Sequence, residues 1–184
     1  MGFSNKNYYF LNTSYPFSNI ISLTFNNIME KSTMILTSPD FEPFGKIPDR
    51  FTCEGENVNP TLKISNIPSG AKSFALIVDD VDAITPEGPW VHWVIWNIDS
   101  DITTIEENSV PPNSVQGKNS SGIIGWSGPC PPPTQPHHYR FMLFALDDKL
   151  NLPEGSSKFD LQKAIEGKIL ADAELIGEYQ RIAE

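Results

Sequence analysis

Three stretches of the chain carry apolar side chains at strand length. SFALIVDD (73–80) is an apolar run that closes on two aspartates, while HWVIWNID (92–99) and YRFMLFALD (139–147) are β-branched and aromatic. Such residues suit a pleated, buried surface. The turn signals IPSG, TPEGP and PPN lie between and around them. MILTSPDF and PTLKISNI supply weaker strand candidates. The C-terminal stretch ILADAELIGEYQ is rich in helix formers, yet Ile169, Ala171, Ala173, Leu175, Gly177 and Tyr179 alternate with mostly polar neighbours. A period of two predicts a strand there. The helix is placed instead at 158–166, where Ser157 and Asp160 have the spacing of a capping box and Gly167 supplies a stop. The pattern as a whole predicts a mainly β, antiparallel domain with one or two short helices.

The first 33 residues differ. They are rich in Asn, Ser, Phe and Tyr and sustain neither period. One lysine and interrupted apolar runs make a poor signal peptide. Residues 1–33 are therefore read as an extension, disordered or the product of a start codon placed upstream of Met29 or Met34. Residues 34–184 are read as a single domain.

Charge narrows the partners. Thirteen basic residues against 23 acidic ones give a net charge of −10, which argues against nucleic acid or an anionic membrane. No run of 18 apolar residues exists to span a bilayer. Cys53 and Cys130 form no metal knuckle, and the expectation is two free thiols in a reducing cytoplasm. Nothing in the pattern sets the oligomeric state.

Candidate chemistry gathers at strand ends. If 73–80 and 92–99 pair as antiparallel neighbours, Asp80 and His92 share one end of the sheet. The third strand begins there too, bringing His137 and Tyr139 to the same rim. The loops DVDAITPEGPW and GWSGPCPPPTQP flank the group, stiffened by proline, with Gly125 and Gly128 allowing close backbone approach. Two imidazoles, a carboxylate and a phenol suit a phosphate or carboxylate group. Three other readings remain open. Asp80, Asp82, His92 and His137 are ordinary ligands for a divalent metal. The histidines are also suited merely to bonding loop carbonyls, or Cys130 beside His137 to acting as the thiol of a hydrolase. Ser127 in GWSGP lacks the last glycine of a nucleophile elbow. His138 alternates to the opposite face and is assigned no role. By the same parity Trp96 shares a face with Trp90 and His92, and Trp93 points away.

FTCEGENVNPTL, SFALIVDDVDA, WVHWVIWNI, GPCPP followed by HHYRFMLFALD, and AIEGKILADAELIGEYQR occur in one order from Met34 to Arg181. In this the chain resembles the phosphatidylethanolamine-binding proteins, in particular their bacterial and archaeal Raf kinase inhibitor-like group. The resemblance implies an antiparallel β-fold with a large central sheet, a smaller sheet and few helices. It also implies a pocket for a small anionic or phosphorylated ligand, no cofactor or metal, no catalysis, and regulation of kinases or proteases as a downstream role. Matched by motif, Asp80 corresponds to the pocket aspartate, Trp90 and His92 to a Trp-x-His, Gly128 and Pro129 to the pocket loop, and His137 and Tyr139 to a His-x-Tyr. Two departures stand out. Asp80-Val81-Asp82-Ala83-Ile84 lacks both prolines of the family's Asp-Pro-Asp-Ala-Pro, which leaves the presentation of Asp80 without its usual support. The chain also stops soon after the last strand, without the C-terminal helix that covers the pocket in mammalian members, so a more open site is expected.

Overall fold

The computed structural model describes residues 33–182. The expectation for the N-terminal extension therefore falls, Thr33 apart, outside the described residues. The strands are β1 (Ile35–Thr37), β2 (Leu62–Ser65), β3 (Ser73–Thr85), β4 (Gly88–Asp99), β5 (Thr104–Ile105), β6 (Val115–Gln116), β7 (His137–Leu146) and β8 (Ile169–Tyr179). A single turn of 3-10 helix covers Asp49–Phe51, and α1 covers Lys158–Ile165. The strands form two antiparallel sheets, β1-β2-β5 and β6-β4-β3-β7-β8.

β3 reads as a continuous apolar run because both of its faces are covered. Phe74, Leu76 and Val78 face the small sheet and meet Leu36, Leu62, Ile64, Phe141 and Leu143. Ala75 and Ile77 face the other way, into a second cluster with Val94, Trp96, Leu150 and the helical residues Leu161 and Ile165. Each large side chain buried in this way contributes about 1.5–3 kcal/mol. β8 is an edge strand covered on one face. Ala171, Ala173, Leu175 and Tyr179 are buried and their neighbours are not, so its alternation survives in the sequence. α1 starts as expected: Ser157 Oγ accepts from Asp160 N, and Asp160 Oδ2 accepts from Ser157 N at 2.9 Å.

Three expectations need correction. The segment between Asp80 and His92 is not a loop. β3 runs on to Thr85 and β4 starts at Gly88, joined by a tight turn in which Gly88 takes φ +106°. The pairing slips between Asp80 and Ile84, so residues 81–83 form a bulge at the end of the hairpin.

The tryptophan parity also fails. Val78 pairs with Trp93 but Asp79 pairs with Val91, which leaves His92 as the extra residue of a second bulge. His92 and Trp93 therefore lie on the same side of the sheet, and Trp96 lies on the other, under α1. A bulge shifts every later side chain by one face without changing composition.

The third correction concerns the thiols. Cys53 and Cys130 form a disulfide across 77 residues of sequence, with Cα atoms 5.4 Å apart. The free-thiol expectation rested on compartment alone. The fold sets the two loops side by side, with Cys53 N donating to Pro129 O at 3.0 Å.

Candidate functional site

In the central sheet Asp80 stands opposite Trp90 on β4 and opposite Tyr139 on β7. His137 lies two residues from Tyr139 and so shares its face. Its Nδ1 is 2.8 Å from Asp80 Oδ2, with both side chains almost wholly buried. The ring donates from Nδ1, so only Nε2 is left to meet a ligand. Asp80 Oδ1 is held from the other side by the backbone N–H groups of Asp82 (2.9 Å) and Ala83 (3.1 Å). The bulge after Asp80 thus folds back onto its own carboxylate.

Asp82 completes that arrangement. Its Oδ2 accepts from His138 N at 2.7 Å and from His138 Nδ1 at 2.8 Å. Partial burial pushes the Asp82 carboxyl up, but the His138 bonds outweigh it and hold the group below its ordinary value. Here the expectation that His138 has no role is corrected: it clamps the bulge. Without prolines to fix φ, the bulge is held by hydrogen bonds to the carboxylates of Asp80 and Asp82.

His92 is also fixed. Its Nδ1 lies 2.6 Å from Ser127 O, and Ser127 N donates back to His92 O at 3.0 Å. A carbonyl only accepts, so Nδ1 carries the proton. Nε2 is buried and has no hydrogen-bond partner. Burial first of all holds the ring below its ordinary pKa, against the raising effects of the Ser127 carbonyl and the Asp80 charge. His92 is therefore held as the neutral imidazole, with a lone pair on Nε2. Tyr139 meets the His92 ring edge-on, centroids 5.1 Å apart. Its hydroxyl is buried and has no well-formed hydrogen bond. Burial, then the charge of Asp80, holds that hydroxyl well above its ordinary value, so it keeps its proton.

These side chains border a cleft of about 280 Å³ lined by Asp80, Ala83, Trp90, His92, Ser121, Ser127, Gly128, Cys130, Pro131, Pro132 and His137. Of the seven residues expected, five line it. Tyr139 lies one ring behind, and Pro129 is buried with its carbonyl turned to Cys53. Gly128 is required by close approach, because a Cβ there would sit 2.2 Å from Phe51 O. Its N–H donates to Asn57 Oδ1 at 2.7 Å. Asn57 was missed, and the fixed contact to a loop 71 residues away has no local signal. Cys130 is a wall residue. No lysine or arginine lines the cleft. Among the described residues no three His, Cys, Asp or Glu side chains converge as a metal site would need.

A larger depression of about 320 Å³ lies across Trp90, beside the start of α1, lined among others by Lys118, Ser120 and Phe159. None of the buried, partnerless side-chain atoms of the described residues belongs to its lining. It carries no comparable demand for a ligand.

Comparison with known proteins places this geometry. The phosphatidylethanolamine-binding protein family model matches residues 37–180. A UPF0098 protein of Methanothermobacter thermautotrophicus is 49% identical over 153 residues, covering 80% of this chain and 99% of its own length. A phosphatidylethanolamine-binding protein homologue of known structure from Chlamydia trachomatis superposes with a TM-score of 0.76 at 38% identity, covering 82% of this chain and 99% of the other. Escherichia coli YbcL, described as a member of the mammalian family, superposes at 0.75 with 31% identity, covering 80% and 98%. The chain belongs to the phosphatidylethanolamine-binding protein family. Among its described residues no helix is long and apolar enough to cross a membrane.

Proposed function

We propose that this member of the phosphatidylethanolamine-binding protein family is a non-catalytic binding protein whose cleft takes a small anion, with a phosphoryl group as the best fit. One observation carries the reading. His92 Nε2, on a ring that lines the cleft, is a buried polar atom with no partner. Such an atom costs about 1–3 kcal/mol unless something satisfies it.

The donor and acceptor pattern selects the ligand. His137 offers a proton from Nε2 only as the imidazolium, since Nδ1 already donates to Asp80. Neutral His92 offers a lone pair and asks for a proton in return. A singly protonated phosphate or phosphate ester supplies both an acceptor and a donor, with a P–O⁻ oxygen for His137 and a P–OH for His92. A carboxylate supplies only acceptors. The hydrolase alternative loses its nucleophile in this state, because the Cys130 sulfur is bonded to Cys53.

Affinity for inorganic phosphate should fall as pH rises from about 6 to 8. Over that range phosphate loses its second proton, and with it a P–OH such as the lone pair of His92 asks for. A purely electrostatic site would do the opposite, since the ligand gains charge. Calorimetry at three pH values separates the two signs. His137→Ala should cost about 1.5–3 kcal/mol of binding at pH 6, the range of a charge-assisted hydrogen bond. Affinity that climbs with pH, or a His137→Ala variant that binds as tightly as the parent, would defeat the reading.

A further inference from the structure

The cleft wall is held in two different ways along its length. Up to Pro129 it is pinned without covalent help: Ser127 N to His92 O, Gly128 N to Asn57 Oδ1, and Cys53 N to Pro129 O. From Cys130 to Pro136, among the described residues, no hydrogen bond or ion pair ties the chain to anything before β7 resumes at His137. The disulfide to Cys53 is the one tie in that interval. Pro131 and Pro132 within it line the cleft, and His137 at its end carries the ligand-facing Nε2. Both cysteines are exposed, so a thiol from solution has access to the pair.

We infer that the Cys53–Cys130 bond is a thiol-exchange site, and that its reduction loosens one wall of the anion cleft and lowers affinity there. The reagent class is a small dithiol. Its thiolate attacks one sulfur, the Cys53–Cys130 bond breaks, and a mixed disulfide forms. The second thiol of the reagent then displaces the protein sulfur and leaves as a cyclic disulfide. The protein gains two electrons and two protons as a pair of thiols. Four of the six residues from 131 to 136 are prolines. With φ fixed at each, the released segment swings as a stiff unit rather than collapsing into coil. Displacing Pro131 and Pro132 then opens the cleft beside His137, and a ligand must meet the cost of re-forming the wall.

The inference rests on the cleft being a phosphoryl site, and two readouts keep the two ideas apart. The first is calorimetry of inorganic phosphate with the full chain before and after treatment with dithiothreitol, then after reoxidation. Reduction should weaken binding roughly tenfold through lost preorganisation, and reoxidation should restore it. A Cys53→Ser/Cys130→Ser double variant should bind as the reduced protein does, with or without reductant. If that variant does not fold, the reduced parent chain carries the comparison, with its circular dichroism confirming the β-structure. The second readout is amide hydrogen exchange, which should quicken over residues 130–138 on reduction while β3 stays protected. Equal phosphate affinity in the two redox states overturns the inference and leaves the binding site standing. Absence of phosphate binding by the oxidised chain defeats the site. The gating of the wall is then judged by exchange alone, and unchanged protection over 130–138 overturns it.

Discussion

Asp79 and Asp80 are consecutive, both are buried, and they point to opposite faces of the same sheet. Asp79 meets Arg140 through two parallel bonds of 3.0 Å each and also accepts from Lys158 at the start of α1. Its carboxylate is closed off by cations, and it fastens the helix to β3 and β7. Asp80 meets one imidazole and two backbone N–H groups, and beside it His92 Nε2 is left without a partner. Equal burial has produced a joint on one side and, in the function proposed above, a receptor on the other. What separates them is satisfaction: a closed polar cluster has nothing left to offer a ligand, whereas an open one has donors and acceptors still to place.

If the two sides are held by different physics, they should fail under different insults. The largest effect is expected on the receptor side. Its wall is covalently tied across 77 residues of sequence, and in the chain-entropy account a bridge of that span is worth about 4.5 kcal/mol. Urea unfolding of the oxidised chain against the Cys53→Ser/Cys130→Ser variant should show a loss of that order. A loss below about 1 kcal/mol would mean that the loops are held together without the bond.

The joint comes next. Asp79→Asn leaves Arg140 and Lys158 facing a neutral amide in a site with no exposure on the Asp79 side. Breaking a buried pair in this way costs about 3–5 kcal/mol, and we expect about 3 because Arg140 keeps part of its side chain in water. Phosphate binding should survive the substitution. A variant that stays stable yet loses phosphate affinity would show that Asp79 belongs to the receptor, and the contrast between the two aspartates would collapse.

The same pair of regions shows what was legible in the sequence. The convergence of Asp80, His92 and His137 could be read directly, because antiparallel strands return to the same rim and their apolar runs mark where they end. The helix was legible from Ser157 and Asp160, and β8 from its period of two despite helix-forming residues, since an edge strand covered on one face cannot hide its alternation. The bulge at His92 was not legible. Its extra residue looks like any other strand residue, and it sent Trp93 and Trp96 to the faces opposite to those expected. The clamp of His138 on Asp82 was hidden for a related reason: it needs the bulge at 81–83, which the loop reading had removed. The disulfide was missed because compartment was used in place of proximity, and proximity between residues 53 and 130 exists only once both sheets are assembled. The role of Asp79 was not legible either, since its partners sit 61 and 79 residues away.

The smallest expected effect isolates His92. Three influences meet on its ring. Burial disfavours the imidazolium, while the Ser127 carbonyl and the carboxylates of Asp80 and Asp79 favour it, and burial prevails. His137 is the other ring on the Asp80 carboxylate, and Tyr139 lies against the His92 edge with its proton retained. A histidine held below its ordinary value in the folded chain takes up a proton more readily when unfolded. Lowering the pH through the ordinary imidazole value of 6.5 therefore draws the equilibrium toward the unfolded chain, and the contribution of neutral His92 is present above that pH and lost below it. In His92→Asn the amide can still donate to Ser127 O but does not titrate. Urea midpoints taken from pH 8 to pH 5 in a buffer free of phosphate should decline more steeply for the parent chain than for the variant. The subtraction removes His137 and His138, which are common to both, and Asp82 titrates below this window because its carboxyl is held low. Parallel curves for the parent and His92→Asn would show that burial does not keep this ring neutral, and the ligand pattern drawn from it would fail.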